Sequence, residues 1–430
     1  MSEAYPPFPV DDLRRLFPAL ERAGTFVFFD NAAGAQVPQT VLDAVNDHLV
    51  TRNVQRGGPY RHSREVDRMI ARARESVAAF VNAPSAQEIA FGLNATSFIR
   101  SISLAIGQDL ASRRERREIV VSELDHEANV ATWLALERFG ARIVWWRVRD
   151  DGRLYNDDLQ TLLSERTRLV ACTVASNATG TVVDVSDVSR RAHAAGAEVF
   201  LDAVHYAPHG PIDVQAMGCD FLVCSGYKVF APHMGFAWCR REAIDPLPTF
   251  REEFIPNVTP DKLEAGTFVY ENVAGMDAAI GYIESLGQRG AGHSNLTRED
   301  AIHHGMLRIS EHERTLSNKM LDALAALDRE GRAVRVHGVA DRSRLHERVP
   351  TLCFSVQGVE SSAIADGLAV REVGVRSGHM YTPRLMTRLG LMPAGVVRAS
   401  LVHYNTADEI ERFQLALAET LTDIERRRPN

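Results

Sequence analysis

Phe221-Leu222-Val223-Cys224-Ser225-Gly226-Tyr227-Lys228 is the stretch on which the fold turns. Four apolar residues in a row, without polar alternation, read as a strand buried on both faces, the habit of a parallel sheet. The run then ends in two hydroxyls and an amine. Past an apolar strand a lysine is ordinarily a surface residue. Ser225 and Tyr227, however, offer hydroxyls to a phosphate, and a lysine in a partly dry pocket loses its proton more readily, as Schiff-base formation requires.

The same texture recurs upstream in Glu88-Ile89-Ala90-Phe91, Ile119-Val120-Val121, Ile143-Val144-Trp145, Leu169-Val170-Ala171-Cys172 and Val199-Phe200-Leu201. Helical stretches such as 186–195 separate these runs. The alternation predicts an α/β fold with a large, doubly wound, mostly parallel sheet. Beyond Leu286 the texture changes. Residues 287–295 read as a Gly-rich linker. A long helix follows, with Ile302, Met306, Ile309, Leu316 and Met320 on one face. A strand at 351–356, a loop at 376–383 and a last helix with the capping box Thr406-x-x-Glu409 complete an expected smaller α+β C-terminal domain. The expected division is residues 1–20 as an N-terminal arm on the small domain, 21–286 as the large domain and 287–430 as the small one.

A chain of 430 residues suits such a pair of domains. Its net charge of -7 argues against a nucleic-acid partner. The densest basic run, Arg113-Arg114-Glu115-Arg116-Arg117, is broken by Glu115 and reads as a solvated helix end or loop. No run of eighteen apolar residues is present, so no membrane span is expected. Met1-Ser2-Glu3-Ala4-Tyr5-Pro6-Pro7 lacks the basic and apolar regions of a signal peptide. The five cysteines, Cys172, Cys219, Cys224, Cys239 and Cys353, form no C-x-x-C pair. Reduced thiols in a cytoplasmic protein are expected, without a metal site.

Two further segments carry chemistry. In Val199-Phe200-Leu201-Asp202-Ala203-Val204-His205 an aspartate closes a buried strand, which is costly unless it is paired. A protonated pyridine nitrogen is a fitting partner; a helix N-cap is an equally common reading. Phe91-Gly92-Leu93-Asn94-Ala95-Thr96-Ser97 leaves a strand and enters a helix. Its backbone N–H groups and hydroxyls suit an anion, or plain capping.

Together with Phe29-Asp30-Asn31-Ala32-Ala33, Leu124-Asp125-His126-Glu127-Ala128-Asn129, Ala175-Ser176-Asn177-Ala178-Thr179-Gly180-Thr181, Glu264-Ala265-Gly266-Thr267 and Val397-Arg398-Ala399-Ser400, these segments resemble the successive motifs of class V aminotransferases and cysteine desulfurases. The resemblance spans nearly the whole chain and is strongest to the desulfurase-like branch. It implies fold type I and pyridoxal 5′-phosphate as cofactor. It implies that Lys228 forms the Schiff base, that Asp202 pairs with the ring nitrogen, and that His126 stacks on the ring and moves protons. Asn177 is implied to bond the phenolic oxygen, with His205 near it. Ala95, Thr96, Ser97, Ser225 and Tyr227 are implied to serve the phosphate. Thr267 is implied to reach the phosphate of a neighbouring subunit, hence a homodimer with shared sites. Asn31, Arg376 and Arg398 are implied to line the place of an amino acid substrate, Arg398 clamping its carboxylate. Read without the resemblance, His126 is a capping or core histidine, Arg398 a surface strand arginine and Arg376 a loop arginine.

Three departures from the desulfurase pattern bear on the reaction. The small-domain loop reads Arg376-Ser377-Gly378-His379-Met380-Tyr381, so Tyr381 stands where desulfurases carry a nucleophilic cysteine. Tyr227 stands where they have histidine, and His205 where they have glutamine. The expected reaction is therefore β-elimination by a C–S lyase that uses no protein thiol. Transamination is the alternative, with racemisation or epimerisation, persulfide-forming desulfuration, and a scaffold without chemistry as further readings.

Overall fold

Strands whose side chains are apolar on both faces must be covered on both sides, and the fold is built to cover them. The structure, a computed structural model, describes residues 7–112, 115–290 and 296–427. Residues 1–6 of the expected arm, Arg113 and Arg114 of the basic run, and 291–295 of the expected linker lie outside that set. In chain order the strands are β1 (Val27–Phe28), β2 (Ile89–Gly92), β3 (Glu118–Ser122), β4 (Arg142–Trp146), β5 (Thr167–Thr173), β6 (Glu198–Asp202) and β7 (Phe221–Ser225). There follow β8 (Gly235–Cys239), β9 (Val334–His337), β10 (Thr351–Val356), β11 (Val373–Gly374), β12 (Arg376–Gly378) and β13 (Val396–Ser400).

The large sheet has the order β2-β8-β7-β6-β5-β3-β4. Its pairs from β7 through β4 are parallel, and β8 runs antiparallel to both of its neighbours. Each of the six apolar runs read from the sequence is a strand of this sheet. β8 was not among them. It is Gly-Phe-Ala-Trp-Cys, and it folds back beside β7 after a short turn, so it has no helix before it to mark it out. One apolar layer covers each face of the sheet. A third core lies under the four-stranded antiparallel sheet β12-β13-β10-β9. This is the expected α/β architecture, with a smaller α+β portion.

The helix Arg298–Leu327 buries Ile302, Met306, Ile309, Leu316 and Met320, as its periodicity predicts. The helix Tyr270–Gly290 runs through residues 287–290, which were read as the start of a linker. Gly287 is there for contact rather than for a turn: a Cβ on it would strike the carbonyl oxygen of Ala301. Gly305 faces the backbone of Ile283 in the same way. In the last helix the capping box is reciprocal. The Glu409 N–H donates to Thr406 Oγ1 at 3.2 Å, and the Thr406 N–H donates to Glu409 Oε2 at 3.0 Å.

The chain's beginning is tied to its end. β1 pairs in parallel with β11, and Asp30 bridges to Ser400 beyond it. Arg14 donates to the Tyr404 carbonyl at 2.7 Å and pairs with Glu409 at 2.9 Å. Among the described residues no helix is long and apolar enough to cross a membrane.

Candidate active site

The carboxyl ends of β5, β6 and β7 converge, and ligands of open α/β sheets bind at such ends. Asp202 closes β6, Ser225 closes β7, and Lys228 sits in the single turn Gly226–Lys228 that follows. With Ala95, Thr96, Ile99, His126, Ala128, Thr173, Asn177, Val204, His205 and Tyr227 they line a cavity. Ile99, Ala128, Thr173 and Val204 were not singled out from the sequence, being ordinary apolar or strand residues there.

Burial sets the electrostatics. It holds Lys228 down at about 8, helped by Arg398 and opposed by Asp202. The amine is therefore far easier to deprotonate than a free lysine. Burial raises Asp202, while the Val204 N–H and Lys228 pull it back. His126 is lowered to about 4 by burial, Lys228 and Arg398, so its imidazole is neutral. Its Nδ1 accepts the Ala128 N–H at 3.1 Å, which leaves the proton on Nε2.

The phosphate-side residues divide. Ala95 donates its N–H to Ser225 Oγ at 3.1 Å. Ser97 is engaged locally, its N–H on Asn94 Oδ1 and its hydroxyl on the Asn94 carbonyl, and it does not line the cavity. Asn94 is the residue that caps this helix, and it takes up the groups Ser97 was expected to offer. Thr96 lines the cavity, and its hydroxyl has no hydrogen-bond partner among the described residues. Gly235 at the start of β8 lies against Asn94 and Ala95; a Cβ on it would sit 2.5 Å from the Asn94 carbonyl carbon. That close approach presses the helix start onto the end of the sheet. Thr267 is exposed and outside this chain's cavity, its hydroxyl accepting from Gln55 Nε2.

On the small-sheet side, Asp30 holds two guanidinium groups. Arg398 Nη2 is 2.8 Å and Arg376 Nη2 2.7 Å from its carboxylate. Arg398 also donates to the Asn177 carbonyl at 2.9 Å, is buried, and leaves Nε without a partner. The reading of Arg398 as a surface residue is therefore wrong for this chain: β13 lies inside the four-stranded sheet, and both faces are covered. Asp30 stood in a quoted motif, but its role was not visible without the fold. Asn31 is fully engaged. Its Nδ2 donates to the Phe28 and Ser400 carbonyls and to Asn405 Oδ1, and its Oδ1 accepts from Tyr404. It keeps no polar group free for a substrate, and its work here is to fasten the loop after β1 to the end of β13.

The loop after β12 lies over the cavity. Asn177 Nδ2 donates to the Met380 carbonyl at 2.7 Å, and the Glu127 N–H donates to the Tyr381 carbonyl at 2.8 Å. Met380 and Tyr381 both adopt left-handed backbone, φ 51° and 58°, which costs a non-glycine residue about 1 kcal/mol each. The Tyr381 ring lies 5.7 Å from that of His126. All five cysteines are free and buried, and burial raises every one, Cys353 to about 12. Among the described residues no group of three or more His, Cys, Asp or Glu is arranged to hold a metal ion.

A flat aromatic group bearing an aldehyde, a ring nitrogen and a phosphate fits the site's open valences. Among the described residues, both ring nitrogens of buried His205 lack partners, and the Asp202 carboxylate receives only the Val204 N–H, at 2.9 Å. Thr96 and Ser225 stand at the helix start where an anion is favoured.

The family model for Aminotransferase class-V matches residues 27–413. The chain is 32% identical over 425 residues to an aminotransferase-like protein, FGM3, of Gibberella zeae, covering 96% of this chain and 99% of that one. It is 32% identical over 443 residues to a probable cysteine desulfurase of Mycobacterium leprae, covering 98% and 99%. Among solved structures, the apo cysteine desulfurase of Thermococcus onnurineus superposes with a TM-score of 0.84 at 25% identity, over 98% of this chain and 99% of that one. The cysteine desulfurase CsdA of Escherichia coli gives 0.80 at 26%, over 96% and 99%. With its sheet, its cavity and these relatives in agreement, the chain belongs to the class V aminotransferase family and is a pyridoxal-phosphate-dependent enzyme acting on an amino acid.

Proposed function

We propose that this enzyme is a C–S lyase, eliminating the sulfur substituent from cysteine or an S-conjugated cysteine without a protein thiol. The observation that carries the reading is the loop over the cavity. It presents Tyr381 to His126, and every thiol in the chain is buried and held protonated. Pyridoxal phosphate, when bound, supplies an aldehyde that joins an amine and a ring that takes up the electron pair left at the α-carbon.

In this reading Lys228 holds the aldehyde covalently, and Asp202 keeps the ring nitrogen protonated. Ser225 and Thr96 hold the phosphate, with Tyr227 beside them. Asn177 and His205 would serve the phenolic oxygen, and His126 would cover the ring. Arg398 meets the substrate carboxylate, with Arg376 at the mouth. With a substrate bound, Lys228 Nζ would take the α-proton and, as an ammonium, would pass it to the sulfur, which leaves with the Cβ–S electron pair. The neutral His126 imidazole, its proton on Nε2, would act as a hydrogen-bond donor and not as the acid.

Thr267 serves the phosphate of a second subunit in a homodimer, and exposed Leu93, Phe250 and Phe254 support such a contact. The unpaired thiols support a reducing, cytoplasmic setting. The division of the chain near residue 286, with residues 1–20 as an arm, belongs to the same reading.

Incubation with cysteine and a panel of S-substituted cysteines is expected to release pyruvate, ammonia and sulfide or thiol, with no sulfur added to the protein mass. Failure of every panel member to give pyruvate would sink the proposal. Transamination is the second reading, favoured by the likeness to an aminotransferase-like protein. It is distinguished by 2-oxo acid formation that requires a second 2-oxo acid as amino acceptor.

A further inference from the structure

Gln55 and Thr267, both exposed, meet on the surface of the chain. Gln55 Nε2 donates to Thr267 Oγ1 at 2.5 Å. Gln55 Oε1 accepts two donors, the hydroxyl of buried Tyr270 at 2.5 Å and the Arg56 N–H at 3.0 Å. A carboxamide oxygen has two lone pairs, and both are taken. A flipped amide would set an N–H against the Arg56 N–H, which can only donate, so the orientation is fixed and Nε2 faces Thr267. Thr267 must therefore accept from Gln55. A hydroxyl that accepts in this way keeps its own hydrogen to give. The Tyr270 oxygen is a nearby acceptor for it within this chain. A phosphate oxygen, being charged, is the stronger one.

Both halves of the contact are fastened to the rest of the chain. The turn that carries Gln55 is closed by Ser63, whose Oγ donates to the Gln55 carbonyl at 2.7 Å and accepts the Gly58 N–H at 2.6 Å. The Gly57 N–H donates to Asp67 Oδ2 at 3.2 Å. On the other side, Thr267 follows Glu264 by three residues. The Glu264 carboxylate is buried, held by Arg74 at 2.6 Å and by the Phe91 N–H of β2 at 2.8 Å. Gly266 lies between them in left-handed backbone, φ 57°, which glycine adopts without strain. A hydrogen bond between exposed side chains adds little to folding, because water serves both groups nearly as well. Stability therefore gives no reason for so firm a placement of one surface hydroxyl. A contact reaching into a neighbouring molecule does, because a group ordered beforehand binds without a further entropy cost.

We propose that Gln55 is a positioning residue for Thr267: it fills the acceptor side of the hydroxyl, so that the hydroxyl's hydrogen is given to a phosphate oxygen of the cofactor in the neighbouring subunit. Tyr270 acts one step further back, by holding the Gln55 amide in the orientation that donates. This role for Gln55 rests on Thr267 serving a second subunit's phosphate, as read above, and not on elimination as the reaction.

The test follows cofactor loss from the loaded enzyme by absorbance during dialysis, in wild type, Gln55→Met, Thr267→Ala and the double variant. Each is loaded with pyridoxal phosphate and, separately, with pyridoxal, which lacks the phosphate. Methionine keeps the length of the side chain and offers no donor. Gln55→Met is expected to lose pyridoxal phosphate roughly 3- to 10-fold faster than wild type, the worth of one hydrogen bond. It should lose pyridoxal no faster, and it should sediment as wild type does. Added to Thr267→Ala it should change nothing further, since no hydroxyl is left to aim. Wild-type retention in Gln55→Met beside faster loss in Thr267→Ala overturns the role of Gln55. Equal effects with and without the phosphate overturn it too, as do additive losses in the double variant. Wild-type retention in Thr267→Ala would instead overturn the reading of Thr267, and this role with it, so the two failures are told apart.

Discussion

Lys228 carries its function at the expense of the cofactor-free fold. Its amine is held at about 8, whereas in an unfolded chain a lysine titrates near 10.4. Between those values the unfolded chain binds one more proton than the folded one, so this group makes stability rise with pH across the window. Below it the folded protein carries a buried charge. Lys228→Met should therefore stabilise the cofactor-free protein by about 3 kcal/mol at pH 7. The gain should fade as pH rises from 8 toward 10.5, as urea denaturation at several pH values will read; a gain independent of pH would count against this account. Asp30 shows the converse. It is the counter-charge of buried Arg398, and Asp30→Asn should cost about 3 kcal/mol in the same assay, because an unpaired charge is left inside. The burial of Asp202 was legible from sequence because it ends a short apolar run, where a polar residue needs a reason; Lys228, three residues past its strand, stood out only through the Ser225 and Tyr227 hydroxyls beside it. The saturation of Asn31 was not, since Ser400, Tyr404 and Asn405 lie 369, 373 and 374 residues away.

At the scale of elements, what the sequence expressed poorly was contact between backbones. The parallel strands announced themselves through two-sided apolarity, and the last helix through its capping box. Glycine is ambiguous by comparison. Residues 287–290 look like a linker because Gly lowers helix propensity by about 1 kcal/mol relative to Ala. In the fold that loss is outweighed by the close packing of Tyr270–Gly290 against Arg298–Leu327. The two effects give opposite predictions for Gly305→Ala. Propensity alone forecasts a gain of about 1 kcal/mol. A Cβ driven into the Ile283 carbonyl forecasts a loss of about 3 kcal/mol, the upper end for overpacking. A net loss near 2 kcal/mol is expected in thermal or urea unfolding, and a stabilised variant would show that the helices do not touch as described.

For the molecule as a whole, the open question is where the phosphate side of the cavity finds its remaining donors. Ala95 and Ser97 are already engaged by Ser225 and Asn94, which leaves Thr96, Ser225 and Tyr227 as the side-chain donors among the described residues of this chain. Thr267 lies outside its own cavity and is exposed, as are Phe250 and Phe254, at 85% and 82%. Phenylalanines so exposed, with Leu93 also exposed beside the start of Ala95–Ser112, offer apolar area for a second copy to cover. A second copy seated there would cover the apolar surface and bring a threonine hydroxyl to the phosphate in one step. The double variant Phe250→Glu, Phe254→Glu should then sediment at the single-chain mass while wild type sediments at twice that mass. Its cofactor should wash out on dialysis more than tenfold faster, a loss of at least about 1.4 kcal/mol of binding. Thr267→Ala should weaken cofactor retention without changing sedimentation. A wild type that sediments as a monomer yet holds its cofactor through dialysis would mean that each chain completes its own site, with Thr267 taking no part.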